Sequence, residues 1–407
     1  MSKMEVCRAC LTPSPYFFLP MGQHPPANMF VRLSDVDRPQ PAFSLDAHAC
    51  LNCGLIQVAD QIPADFYDYY HYMPSGAETM ERHFEELAEI LGREAAGGQI
   101  VDIGCNDGLL LQACNALGCK TVGIDPAANT AEVARQRGLD VHTDFFNPAT
   151  AEMLKGSHGL ARAIVATNTL NSIDDLHGFM TGISCLLAEG GVFVIEVPWA
   201  KELLERNEFV TVYQEHLSEF SLLSIVKLGA HFGFTVTDAQ RLAVHGGSIR
   251  IFLRRSASAG PPSSAVRQLL HQERAGGMLD AATYDAFAGR VETIRRNLLA
   301  MLHDLKVRGK KIAGYGAPAK GNTLLNFFKI GPSELDFLVD RNPLKHDMLS
   351  PGMKIPIRPP EAIESERPDV LLVLAWNFFE EIREQQADFA RRGGRFLVPL
   401  PHPVLVS

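Results

Sequence analysis

Between residues 99 and 199 the chain alternates short apolar runs with segments in which apolar residues recur every three or four positions. The runs Q-I-V-D-I-G (99–104), K-T-V-G-I-D (120–125), A-I-V-A-T-N (163–168) and G-V-F-V-I-E-V (191–197) read as buried parallel strands with amphipathic helices between them. This pattern predicts a doubly wound α/β unit whose ligands sit at the carboxyl ends of the strands. A second series, K-I-A-G-Y-G (311–316), L-D-F-L-V-D (335–340), D-V-L-L-V-L-A-W (369–376) and R-F-L-V-P-L (395–400), predicts a further α/β unit. Met80, Phe84, Leu87, Ile90 and Leu91 recur at helical spacing, and another helical stretch covers residues 265–308. The small, breaker-rich S-A-S-A-G-P-P-S-S (256–264) is the best linker.

Composition narrows the class. With 407 residues, 46% hydrophobic and 21% charged, the chain reads as a soluble globular protein of two or three domains. No apolar run approaches the ~20 residues needed to span a bilayer, and M-S-K-M-E-V-C-R-A-C lacks a secretory core, so a cytoplasmic protein without membrane partners is expected. A formal net charge of -9 argues against nucleic acid as a partner.

Cys7 and Cys10 form one C-x-x-C and Cys50 and Cys53 a second, with 39 residues between the pairs. Two such knuckles can complete a closed four-sulfur site for structural zinc, which staples a proline-rich segment and leaves no catalytic opening. Cys105, Cys114, Cys119 and Cys185 are scattered and read as packing residues. The aromatic stretch F-Y-D-Y-Y-H-Y-M-P-S-G (66–76) lacks Lys and Arg, which favours a lid or packing segment over base stacking.

In V-D-I-G-C-N-D-G (101–108) a strand runs into a tight turn and a helix. Gly104 lets the backbone approach a ligand, but the turn carries Asp102, Asn106 and Asp107, an acidic set that suits an amino group and a sulfonium better than a pyrophosphate. Asp125 and Pro126 of G-I-D-P end the next strand about 20 residues on, where a carboxylate can accept ribose hydroxyls. These features favour S-adenosylmethionine (SAM) over NAD. Phe145 and Phe146 can pack against adenine or belong to the core, and Asn168 ends the fourth strand where a methyl-transfer pocket opens. Tyr213, Glu215 and His216 of Y-Q-E-H-L-S-E-F (213–220) form a candidate proton-transfer group; on a helix, Tyr213 and His216 share a face. G-Y-G-A-P-A-K-G-N-T (314–323) brings backbone amides and Lys320 to a helix start, a constellation that suits a diphosphate. Gly314, Gly316, Ala319 and Asp340 also fit a dinucleotide site for NAD, and V-D-R-N-P-L-K (339–345) reads as structural, its charges satisfying one another.

Together the two C-x-x-C pairs, V-D-I-G-C-N-D-G, Y-x-E-H-L-S-x-F-S-L, H-G-G-S-I-R (245–250), G-Y-G-A-P-A-K-G-N-T-L-L-N and V-D-R-N-P-L-K resemble the sugar C-methyltransferases of deoxysugar biosynthesis. The resemblance implies a zinc module (1–65), a class I SAM methyltransferase domain of Rossmann-like fold (66–255) and a carboxyl-terminal Rossmann-like α/β domain that helps to bind the nucleotide sugar (256–407). It implies methylation at C3 of a 4-keto-deoxysugar carried on thymidine diphosphate, with His216 as base and Tyr213 and Glu215 orienting it or hydrogen-bonding the substrate. It further implies that Tyr70 and Tyr72 close over the site and that His245, Gly246, Gly247, Ser248, Arg250, Lys320 and Asn322 lie toward the substrate. The family usually reads Y-H-E-H-L-S-Y and A-H-I-x-D-L. Here Gln214 and Glu219 stand in the first motif, and N-S-I-D-D-L puts Ser172 in the place of a substrate-side His. A monomer or weak dimer is expected. The rival readings are a SAM-dependent transferase with a non-sugar or heteroatom acceptor, and a catalytically silent protein that binds zinc and nucleotide sugar.

Overall fold

The structure is a computed structural model that describes residues 4–64, 66, 75 and 78–407. At its centre is a seven-stranded sheet built from β1 (Gln99–Ile103), β2 (Lys120–Asp125), β3 (Val141–Thr143), β4 (Ala161–Thr167), β5 (Leu187–Pro198), β6 (Phe234–Leu242) and β7 (Ser248–Arg255). The spatial order is 3-2-1-4-5-7-6, with β1 to β5 parallel and β7 antiparallel to both neighbours. That inserted last strand is the class I methyltransferase arrangement. The direction of chain progression reverses between β1 and β4, so a crevice opens at their carboxyl ends.

Alternation along the strands builds a core on each face. Ile164 and Ala166 of β4 face one layer with Phe179, Ile183 and Ile195. Ala163 and Val165 face the other, under Met80, Phe84, Leu87 and Leu91 of α1 (Glu78–Ala95). The turn after β1 leads into α2 (Leu109–Ala116), and the turn after β2 into α3 (Ala128–Gln136). Buried Cys105 and Cys114 pack here as expected.

The first 64 residues build little of their own interior. Phe18, Leu19 and Leu45 share a core with Tyr284, Phe287 and Val291 of α4 (Ala281–Val307). Strands Tyr16–Leu19, Ala47–Ala49 and Ile56–Val58 form a sheet whose fourth strand, Ser218–Glu219, comes from the middle of the chain. The helical stretch expected over 265–308 is two helices, Ser264–Ala275 and α4, parted at Gly276 and Gly277, where Gly277 takes a φ of 74° that favours glycine.

The last unit holds β8 (Ile312–Tyr315), β9 (Phe337–Val339), β10 (Ile357–Arg358), β11 (Val370–Val373), β12 (Arg395–Val398) and β13 (Val404–Val406) in the order β10-β9-β8-β11-β12-β13, with only β13 antiparallel. This is the Rossmann order, and α5 (Ala319–Phe328) starts at its switch point. No helix among the described residues is long and apolar enough to cross a membrane.

Candidate active site

The turn after β1 is held from two sides. Gly104 has a φ of 75°, and a Cβ there would stand 2.1 Å from Thr169 Oγ1, so the glycine is required by the loop after β4 as well as by its backbone conformation. Asn106 N–H donates to Asp125 Oδ2 at 2.8 Å, and Ala127 N–H donates to Asp125 Oδ1 at 2.9 Å. The Asp125 carboxylate therefore braces both cofactor-side turns, next to half-buried Pro126, and burial raises its pKa against these hydrogen bonds.

Asp102 and Asp107 are buried, and Asp102 Oδ1 and Asp107 Oδ1 have no hydrogen-bond partner among the described residues. Burial, then the charges of Asp125 and Glu196, push Asp102 up to about 8. A carboxyl group in that condition gains from an arriving cation. Two unpaired acidic oxygens at the end of β1 fit the charged amino and sulfonium groups of SAM. Asp107 Oδ2 also accepts from Ser75 Oγ and lies 3.6 Å from Arg137. Phe146 is a core residue, edge-on to Phe179 at 5.2 Å, while Phe145 stays exposed. Asn168 adopts a left-handed φ of 52°, its N–H bound to Glu196 O, where it ends β4 at the crevice.

From Asn168 the chain passes through Thr169 into the turn Leu170–Ser172, which lies beside the strand Ser218–Glu219. The cofactor turn and the Y-Q-E-H segment are thus linked by one short loop. Tyr213 to His216 form a turn and not a helix: His216 N–H donates to Tyr213 O at 2.8 Å, and the chain then goes extended. The expected pairing survives, because a turn also brings residues i and i+3 together. Tyr213 Oη lies 2.8 Å from His216 Nε2, with the rings 4.1 Å apart. Burial, opposed by Glu215 and helped by Lys320, lowers His216 to about 3, which leaves a neutral imidazole. Glu215 accepts from Asn28 Nδ2 at 2.7 Å.

Sequence reasoning missed two of these partners. Asn28 is 187 positions from Glu215 and gives no local signal. Glu219, whose Oε1 is 3.3 Å from His216 Nδ1, was visible as a departure from the motif but had no stated role.

Lys320, at the start of α5, reaches toward this group and lies 3.8 Å from Glu208, whose other oxygen accepts from Trp376 Nε1. The H-G-G-S loop forms the turn Val244–Gly246, with Ser248 Oγ bound to Val244 O and a Cβ on Gly246 meeting Asn377 at 3.3 Å. Gly247 has a φ of 121° over Glu202. The loop therefore faces the carboxyl-terminal unit, although the His245 side chain lies outside the described residues, as do Tyr70 and Tyr72. Ser172 is half-buried beside Asn171.

Two residues expected at the substrate have protein partners. Arg250 is buried and pairs with Glu196, which also binds His83 Nε2 at 2.7 Å, so its guanidinium holds β7 to β5 and α1. Asn322 is fully buried and donates to Ala27 O at 2.9 Å, tying α5 to the amino-terminal segment. In V-D-R-N-P-L-K, Asp340 pairs with Lys345 as expected, but Arg341 turns to Glu381. Asp340 also accepts from Ala317 N–H and so closes the G-Y-G-A turn. Replacing Arg250 with Met leaves Glu196 short of its charge partner. Denaturant melts should then show a loss of about 3–5 kcal/mol, while KM for the acceptor stays within about twofold. A large KM rise with native stability would place Arg250 at the substrate instead.

The four cysteines converge, with Cys7 Sγ 3.6 Å from Cys53 Sγ and Cys10 Sγ 3.5 Å from Cys50 Sγ. A tetrahedral zinc with Zn–S of about 2.3 Å needs sulfur–sulfur edges of about 3.8 Å, so the cluster fits that ion. Hydrogen bonds within the cluster hold Cys7 below the ordinary thiol range and push Cys53 above it, so protons are shared among the four sulfurs until a cation displaces them.

The central sheet order, the acidic crevice and the cysteine cluster together define a zinc-containing methyltransferase of class I fold. Residues 7–66 match the family described as "Putative zinc binding domain", 69–239 "Methyltransferase domain" and 243–401 "C-methyltransferase C-terminal domain". The chain is 35% identical to C-methyltransferase NovU of Streptomyces niveus over 99% of its own length and 97% of that protein's. It belongs to the sugar C-methyltransferase family and is a SAM-dependent C-methyltransferase. A shorter match, 32% identical over 28% of this chain and 47% of the relative, is to the ubiquinone biosynthesis O-methyltransferase of Methylocella silvestris. Among solved structures, the CcbJ methyltransferase from Streptomyces caelestis is 13% identical with a TM-score of 0.35, covering 48% of this chain and 97% of that one.

Proposed function

We propose that the protein transfers a methyl group to the carbon next to a ketone in a nucleotide-linked keto-deoxysugar, with thymidine diphosphate as the carrier. The observation that carries this reading is His216, its Nε2 within hydrogen-bond distance of Tyr213 Oη beside the loop that leads from the cofactor crevice. A saturated carbon has no lone pair, so a C–H bond must give up its electrons before the carbon can attack. When bound, SAM supplies the electrophilic methyl group. His216 accepts the proton at Nε2, Tyr213 releases its hydrogen bond to the imidazole and offers it to the enolate oxygen, and Glu215 anchors the turn through Asn28. Asp102 and Asp107 hold the cofactor's charged end, Asn106, Asp125 and Asn168 shape its turns, and Phe145 covers its adenine. Lys320, with the amides at the start of α5, takes the diphosphate, and Gly246, Gly247, Ser248 and Ser172 border the sugar.

Activity across a panel of keto-sugar nucleotides with methyl-labelled SAM tests the assignment. Label should appear on carbon in a thymidine diphosphate 4-keto-sugar; label on oxygen or nitrogen, or on a non-sugar acceptor alone, contradicts it. The raised pKa of Asp102 gives a second expectation. At about pH 6.5 the free carboxyl is protonated and the cofactor's cation should ionise it. SAM binding should therefore release close to one proton, and affinity should rise with pH toward 8. Calorimetry in two buffers of different ionisation enthalpy measures the release, and Asp102→Asn should abolish it.

A further inference from the structure

We propose that Glu219 is a positioning residue that sets the tautomer of His216. The proposal rests on the reading of His216 as the base. Glu219 Oε1 lies 3.3 Å from Nδ1, while Tyr213 Oη lies 2.8 Å from Nε2, so each ring nitrogen has its own oxygen. A carboxyl oxygen accepts the Nδ1 proton, and the lone pair is then left on Nε2, where it can take hydrogen from carbon. The opposite tautomer carries hydrogen on Nε2 and is no base at that atom.

The surroundings hold Glu219 in place. Its side chain is 2% exposed, and its strand is pinned by pairing of Ser218 with Gln57 and Glu219 with Ile56. The charged groups near the pair are Lys320, which acts on both the ring and the carboxyl, Glu215 beside the ring, and Glu208 next to Lys320. The adjoining turn Leu170–Ser172 carries no titratable side chain. Burial holds Glu219 well above the carboxylate range and Lys320 opposes it. An uncharged carboxyl that carries its proton on Oε2 still presents Oε1 to accept from Nδ1, and the same tautomer results. In the step itself the C–H bond breaks, its proton goes to Nε2, its electron pair stays on the acceptor as enolate, and the imidazolium keeps Nδ1–H on Glu219.

Ring nitrogen-15 spectra of the full-length, zinc-loaded protein labelled in histidine test this, with His216→Ala assigning the signal. Wild type and Glu219→Gln should show hydrogen on Nδ1, and Glu219→Leu should shift toward Nε2. Hydrogen on Nε2 in wild type overturns the proposal, and that spectrum decides alone if the leucine variant does not fold. With a thymidine diphosphate 4-keto-6-deoxyhexose as probe, Glu219→Leu should lower kcat by about 10²-fold or more with KM for SAM unchanged, and Glu219→Gln should recover to within about tenfold of wild type. In a His216→Ala background, Glu219→Leu should cost nothing further. Wild-type turnover in Glu219→Leu beside a dead His216→Ala defeats the positioning role. An active His216→Ala defeats the reading of the base and leaves the tautomer result standing.

Discussion

Replacing His216 with asparagine is expected to lower kcat by about 10²- to 10⁴-fold, the usual contribution of a general base, with SAM affinity changed by less than about threefold. Asparagine keeps a polar group in the turn but has no basic nitrogen. Methyl-labelled turnover and calorimetry measure the two quantities, and unchanged turnover removes His216 from the role of base. The pKa of about 3 adds a pH signature. The folded state holds His216 neutral while the unfolded chain protonates it near 6.5, so between these values the unfolded state binds more protons. The stability tied to His216 is therefore complete above about pH 6.5 and is lost as pH falls toward 3. In His216→Asn this part of the acid sensitivity should be missing from melts run across that range.

Removing the metal should reach the chemistry from a distance. Structural zinc in small domains is coupled to folding by about 10 kcal/mol or more, and here Cys53 O also accepts from Ser221 Oγ at 3.1 Å, just past the strand that carries Glu219. Ile56 and Gln57, three and four residues after Cys53, pair with Glu219 and Ser218. A strong chelator, or Cys53→Ser, should therefore abolish turnover, expose amides of residues 16–58 to hydrogen exchange, and leave SAM binding within about tenfold. The cofactor crevice is built by β1, β2 and β4, none of which pairs with that sheet. Loss of SAM binding together with turnover, or full turnover without metal, contradicts this division.

The strands of both α/β units were legible because burial on two faces writes continuous apolar runs, and the glycine turns mark where those runs end. The sequence left the form of the Y-Q-E-H segment open, since residues i and i+3 meet in a closed turn as readily as on a helix. The pairing of Arg250 was not legible because a motif names residues without their direction. Arg250 sits on β7 opposite Glu196 of β5, and only the cross-strand register reveals the pair. The contact of Asn322 was hidden for a related reason: its partner, Ala27, is 295 positions away. The cysteine cluster was readable from spacing, but the contribution of Ser218–Glu219 to the zinc-side sheet was not, because a two-residue strand carries no period.

The most direct test of the account is solvent hydrogen exchange at the acceptor carbon. In deuterated water, with S-adenosylhomocysteine filling the cofactor site, the protein should exchange hydrogen at C3 of a thymidine diphosphate 4-keto-sugar, and His216→Asn should not. Methylation of that sugar with its C3 hydrogen retained, or undiminished exchange in His216→Asn, would contradict it.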